Sequence, residues 1–469
     1  MRFRALTGLG LAMLLFCASM PSLAADDDGV LRPEFSASLR DSVKMDGATR
    51  ALHNALTIND AGRLAVNRDI VKAHNDLFNH KLKPKGVTDQ KGSGRCWLFA
   101  AMYIMRPVVI EKYKLDDFEF SISYMSFWDK LEKANFFLET MIELRDRDFT
   151  DREYDYFVKD PINDGGWWVL VVALIEKYGV MPKEAMPETF PSEHTGTMNR
   201  ILETKLRIDA TELRRMAAEK KTLPQMREAK RKMLADIYRI LVLNYGQPPT
   251  EFTYRYADKD KKINESKKFT PQSFYKEWIG VDLSAYVHLV NDPTQPYGKH
   301  YRMRRVRNIV GAPEVHYINV PIDVLKSVVA KSIIDNQAAV FSCDAGRDMD
   351  AESGIMQAGL HDFGSIYGVD LTLGKADRLR TRGGAPNHAM TFIGVDMQGD
   401  KPVKWLVENS WGPARGKNGL MTMYDKWFEE HVYDAVVRKA YVPNEVLKVF
   451  QEEAVELPPW NPLNSYFGR

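Results

Sequence analysis

The segment Gln90-Lys91-Gly92-Ser93-Gly94-Arg95-Cys96-Trp97 delivers a cysteine from a glycine-containing loop to the head of a long apolar run. A thiolate rather than a thiol is the nucleophile. The first turn of a helix favours it through unpaired backbone N–H groups and through the positive end of the helix dipole. Gln90 carries an amide able to donate to the oxyanion that forms when a carbonyl is attacked, with the Cys96 N–H as its natural partner. A cysteine nucleophile also needs an imidazole to hold its proton. Among ten histidines, His388 has the best context, because the turn Gly383-Gly384-Ala385-Pro386-Asn387 leads through it into an apolar strand. Asn409, in Glu408-Asn409-Ser410-Trp411-Gly412, follows another strand and can accept the ring N–H, with Trp411 shielding that bond from water. A lone cysteine at a helix head is more often a small buried hydrophobe, and a lone histidine is more often structural. The weight comes from Gln, Cys, His and Asn occurring in that order, each within its own local sequence.

These residues need elements to hold them. The apolar run Cys96 to Arg106 reads as a buried helix that Pro107 kinks or ends. Before it, residues 25–90 break into short elements at Pro33, Gly47, Gly62 and Pro84, with Asn67 to His80 as one candidate helix. Leu202, Leu206, Leu213, Met216, Met233, Ile237 and Leu241 give residues 200–245 a strongly helical spacing. After Ile309 the pattern changes to short β-branched and aromatic runs, His316 to Val320, Ala339 to Ser342, Met390 to Val395 and Trp405 to Val407, which read as strands. Helix-rich sequence first and strands later, without alternation, indicates an α+β protein rather than a doubly wound sheet.

The 469 residues are 45% hydrophobic, and 65 basic against 63 acidic residues leave a net charge of +2, so the overall balance offers no footprint for nucleic acid. Lys220-Lys221 and Lys230-Arg231-Lys232 are interleaved with acids and read as a solvated helix face. Arg2 and Arg4, the apolar run Leu9 to Cys17 and the small residues of Ser22-Leu23-Ala24 read as an export signal over residues 1–24, cleaved after Ala24. No later run is long and apolar enough to span a bilayer. The expected location is periplasmic or extracellular. Only Cys96 and Cys343 then remain, which is no disulfide framework; Cys343 reads as a buried structural thiol. Gly368 to Lys375 lacks the spacing and the Ser or Thr of a phosphate loop. There is also no H-E-x-x-H pattern, so no metal or cofactor is expected.

Ser93 to Ala101, Asn387-His388-Ala389-Met390 and Val407 to Gly412 resemble the three active-site blocks of the bleomycin hydrolase and bacterial aminopeptidase C family of papain-like cysteine peptidases. Phe127 to Asn135, Asp164-Gly165-Gly166, Lys177-Tyr178-Gly179 and Met186-Pro187-Glu188 resemble further blocks, from about residue 50 to near Leu463. The resemblance implies an α+β papain-like two-lobed fold with large helical insertions at about 185–310, which account for the distance from Cys96 to His388. It implies a cysteine aminopeptidase acting on peptides, with Cys96, His388, Asn409 and Gln90 catalytic and with Gly165, Gly166, Trp168 and Trp411 lining the substrate site. It further implies a homohexamer and a C-terminal arm, about 452–469, that lies in the cleft. Papain-like clefts are open at both ends, and the arm closes one. Three positions depart from the family pattern: Asp89 replaces an Asn, Ile122 a polar residue and Trp167 a Gln, and the bulk of Trp167 narrows the cleft. Two rival readings stand beside this one: an endopeptidase with an open cleft, and a catalytically silent peptide- or nucleic-acid-binding protein.

Overall fold

The computed structural model describes residues 29–84 and 86–464; the expected export signal at 1–24 and the last five residues lie outside them. The chain divides into two compact units at Leu64. The first holds helices Pro33–Ser42 and Gly47–Ile58, the latter capped by Asp46, whose carboxylate accepts from the Thr49 N–H at 2.8 Å.

The second unit carries everything else, organised around a helical core and a sheet core. Helix Cys96–Tyr113 is nearly all buried, and its apolar residues show no preferred face, as suits an element enclosed on every side. It does not stop at Pro107. It runs on to Tyr113 and ends at Lys114 in the left-handed conformation (φ 52°). The cost of an interior proline, about 3 kcal/mol, is outweighed because Val109 and Ile110 on the far side are buried in the same core. Arg106 is also anchored there, donating to the Gly86 carbonyl and to Glu408 Oε1 at 3.0 Å. Against this helix lies Ile122–Glu143, capped by Ser121 and buried from its first residue, Ile122. Helices Gly196–Ala218 and Leu223–Tyr245 pack on it, the second opened by a Thr222/Gln225 capping box with proline in its first turn. Two of the three cations of the Lys230-Arg231-Lys232 cluster are paired there: Lys230 Nζ meets Glu139 at 2.6 Å, and Arg231 pairs with Glu228.

The Asn67 to His80 segment is not one helix. Asn67 caps a short helix, Arg68–Ala73, and the chain then extends to strand His80–Lys81 beside strand His388–Gln398. Asn79 anchors the extended part to the sheet. Its side chain donates to the Met397 carbonyl at 2.7 Å and accepts from the Met397 N–H at 2.9 Å, standing in for a ladder pair that a helix could not make.

Twelve strands among the described residues form one mixed sheet. Its antiparallel centre runs Tyr286–Val290, Val432–Arg438, Ala339–Cys343, His388–Gln398, Lys401–Glu408 and Leu420–Tyr424. The central strands are buried on both faces, which explains their unbroken apolar runs. Strands Tyr286–Val290 and Lys299–Met303 belong to this sheet, so the stretch expected as helical insertion already contributes strands before residue 310. Cys343 lies in the sheet core as a free thiol, its Sγ directed at the His388 carbonyl at 3.7 Å. Among the described residues no helix is long and apolar enough to cross a membrane.

Candidate active site

The antiparallel register of strands His388–Gln398 and Lys401–Glu408 pairs Thr391 with Glu408, so the start of one strand lies beside the end of the other. That register brings together two residues 21 apart in sequence. His388 Nε2 lies 2.7 Å from Asn409 Oδ1, with both side chains buried. The Trp411 ring covers the pair, its centroid 4.8 Å from that of the imidazole. Cys96 heads its helix against the same strand, and Thr391 Oγ1 donates to the Ala100 carbonyl. The backbone N–H groups of Ala389, the residue after His388, and of Trp97 are near enough to the Cys96 sulfur to favour its thiolate.

Electrostatics set the resting state. Burial pushes the Cys96 thiol up to about 11, against those N–H groups, which favour the thiolate. Burial likewise lowers His388 to about 4, against the hydrogen bond that its ring donates to Asn409 Oδ1. Burial therefore disfavours the charged form of each group taken alone. With Nε2–H donating to Asn409, Nδ1 carries the free lone pair.

Gln90 is held from two sides. Ser410 Oγ donates to Gln90 Oε1 at 2.6 Å, Gln90 Nε2 donates to the Ser93 carbonyl, and the Gln90 N–H donates to the Ser410 carbonyl at 2.8 Å. One amide N–H of the side chain is left uncommitted. Ser410 is thus a supporting residue that reading the sequence alone did not single out, although it stands beside Asn409 in the quoted block.

Asp164 braces the segment expected to line the substrate site. Its carboxylate accepts from the Gly94 N–H at 2.9 Å, from Thr195 Oγ1 and from Asn199 Nδ2, and it pairs with the fully buried Lys130 ammonium at 2.7 Å. Its backbone carbonyl accepts from Trp97 Nε1 at 2.6 Å. Although burial opposes it, the Lys130 charge and these bonds hold the Asp164 carboxyl well below the usual range. One side chain therefore ties the loop before Cys96 to the Gly165–Gly166 segment. Lys133 Nζ donates to the Gly165 carbonyl, and a Cβ on Gly166 would lie 2.8 Å from three Trp97 ring atoms. Trp168 opens helix Trp168–Tyr178 with its ring tilted on Tyr286. Gly165, Gly166 and Trp167 line a cavity of about 620 Å³, and Gly166, Trp167 and Trp168 also line a second space next to Ala389. No cluster of metal-ligating side chains occurs among the described residues.

The C-terminal segment lies along this cavity. Val455–Leu457 adds a parallel strand to Lys299–Met303. Beyond it, Arg382 donates to the Trp460 carbonyl at 2.9 Å, Arg152 sits over the Trp460 ring, and Asn461 and Leu463 are buried. Asn464 Oδ1 accepts from Trp167 Nε1 at 3.0 Å, and its Nδ2 donates to the Tyr156 hydroxyl.

Comparison with known proteins agrees with this arrangement. The Peptidase C1-like family model matches residues 30–464. The chain is 38% identical to aminopeptidase C of Listeria monocytogenes over 391 residues, covering 83% of this chain and 88% of that protein. It is 36% identical to bleomycin hydrolase of Homo sapiens over 447 residues, covering 93% and 98%. The crystal structure of PepW from Lactobacillus rhamnosis superposes with a TM-score of 0.90 at 36% identity, covering 93% of this chain and 99% of that one. A papain-like α+β arrangement, a cysteine at a helix head facing a histidine strand, and a family match across the described residues lead to one conclusion: the chain belongs to the Peptidase C1-like family.

Proposed function

We propose that this cysteine aminopeptidase works through a Cys96–His388–Asn409 centre with Gln90 in the oxyanion site, releasing N-terminal residues from peptides outside the cytoplasm. The observation that carries the reading is the buried His388 Nε2–Asn409 Oδ1 bond of 2.7 Å, made by a histidine whose next residue lies near the Cys96 sulfur. The Cys96 proton passes to His388 Nδ1. Separately, burial disfavours each charge, but in the resulting ion pair each charge offsets the desolvation of the other. The Cys96 sulfur attacks the scissile carbonyl carbon, and the negative oxygen accepts from the free Gln90 amide N–H and the Cys96 N–H. Collapse expels the amine, which takes the proton from His388 and leaves a thioester. Water, deprotonated by His388, hydrolyses the thioester and restores the thiol.

The triad itself does not count residues from a chain end. The arm supplies that restriction: its prolines Pro458, Pro459 and Pro462 limit the entropy lost on docking, and its bonded position along the 620 Å³ cavity supports a role in closing one end of the cleft. In this reading the active enzyme trims its last residues, and the new carboxylate receives the free amine of the substrate. Export rests on the signal-like residues 1–24 and the homohexamer on family resemblance; cell fractionation and light scattering test them.

The test of the aminopeptidase reading compares a free peptide with its N-acetylated form, before and after deletion of residues 457–469. The intact protein is expected to release residues only from the free form, and deletion to raise internal cleavage of the acetylated one. Equal cleavage of both peptides by the intact protein, with Arg469 still present by mass spectrometry, overturns the reading in favour of an endopeptidase.

A further inference from the structure

We propose that Trp167 is a second, built-in barrier that closes the acyl side of the cleft beside the Gly166 wall, so that a residue upstream of the scissile one finds no room for its side chain. The inference rests on the aminopeptidase reading above and adds a specificity-determining residue to it.

Trp167 borders two spaces. One is the 620 Å³ cavity along which the arm lies. The other is a crevice lined by Trp97, Gly166, Trp168, Val340 and Ala389, where only about 20 Å³ remains. The Ala389 N–H lies near the Cys96 sulfur, and Trp97 is the next residue after Cys96, so the crevice adjoins the reacting centre. Space of that size admits about one water molecule and no branched side chain. The indole is what fills it: Trp167 is 4% exposed although it stands on the cleft wall.

The ring is held in place on both edges. Its Nε1–H donates to Asn464 of the arm at 3.0 Å, and its ring packs tilted by 53° against His288 with a centroid separation of 5.5 Å. His288 is in turn fixed by Asp434 at 3.3 Å, and Asp434 by the Ser342 N–H at 2.7 Å. An indole so braced does not swing aside without breaking a buried polar chain. The bond to Asn464 also places Trp167 at the end of the cleft that the arm closes, the end reserved for the substrate amine. Barrier and arm are therefore joined, and removal of the arm also takes away the bond that holds the indole.

The test uses the full-length chain and two fluorogenic amides, a free aminoacyl amide and an N-acetylated dipeptidyl amide with phenylalanine upstream of the same residue. Trp167→Gln shortens the side chain and keeps an amide N–H for Asn464. It is expected to raise the blocked-to-free kcat/KM ratio by about tenfold or more, the discrimination that a few methylene-sized contacts provide, with turnover of the free amide within about threefold of the parent. Trp167→Phe, which still fills the crevice, is expected to stay near the parent ratio. A ratio unchanged in Trp167→Gln while the free amide is still turned over overturns the barrier. So does a phenylalanine variant that opens the cleft as far as glutamine does. A parent that already cleaves both amides equally overturns the aminopeptidase reading itself, and the barrier with it.

Discussion

Replacing Gln90 by alanine separates the chemistry of the oxyanion from the stability of the loop that carries it. The side chain accepts from Ser410 Oγ at 2.6 Å and donates to the Ser93 carbonyl, and both interactions are buried. Their loss is expected to cost about 2 kcal/mol of stability, at about 1 kcal/mol per hydrogen bond. The remaining amide N–H is the one assigned to the oxyanion, and its removal is expected to lower kcat by about 10² to 10³, equivalent to about 2.7–4 kcal/mol of transition-state stabilisation. Ser410→Ala serves as the control. It removes one of the two supporting bonds but leaves the donor, so stability is expected to fall by about 1 kcal/mol and kcat by no more than about tenfold. Denaturant melts and steady-state kinetics on the free aminoacyl amide read the two quantities independently. A Gln90→Ala variant with unchanged kcat refutes the oxyanion assignment. A Ser410→Ala variant that loses as much kcat as Gln90→Ala shows that loop position, not the donor, sets the rate.

Cys96→Ala is expected to abolish turnover with the fold intact by circular dichroism, whereas Asn409→Ala removes only the orienter of His388 and is expected to retain activity about 10² to 10⁴ below the parent; equal losses would undo the division of roles. His388 must be unprotonated to take the thiol proton, and burial holds its pKa at about 4. The acid limb of kcat/KM is therefore expected near pH 4, and a limb at pH 6–7 would contradict the buried, neutral imidazole. Gly166→Ala would drive a Cβ to 2.8 Å from the packed Trp97 ring; a cost of about 1–3 kcal/mol in thermal stability is expected, with a raised KM, and a variant as stable as the parent would show that the wall yields.

How much of this was legible beforehand depended on whether a signal was local. The Cys96 helix head, the His388 and Asn409 strands and the long helices carried their own periodicity, turn residues and flanking motifs, and the structure has those elements. Of the two outcomes expected at Pro107, a kink or an end, the helix does not end there, because an intrinsic breaking tendency is a local quantity, while burial of Val109 and Ile110 is a tertiary one. The candidate helix Asn67 to His80 misled for a related reason: Asn79 within it pairs with Met397 across the sheet. The supports of the site were illegible because their partners are distant. Gln90 and Ser410 are 320 residues apart and Trp167 and Asn464 are 297 apart, and nothing local marks either pair. The bulk of Trp167 was visible, but its place on the boundary of two cavities was not.

The most direct measurement of the central claim is stoichiometric labelling with a thiol-directed epoxide, followed by peptide mass mapping and an assay of N-terminal residue release. One equivalent is expected to modify Cys96, leave the sheet-buried Cys343 free and abolish release in proportion to the label incorporated. Release that survives full modification of Cys96, or inactivation that tracks a label on Cys343, would contradict the account.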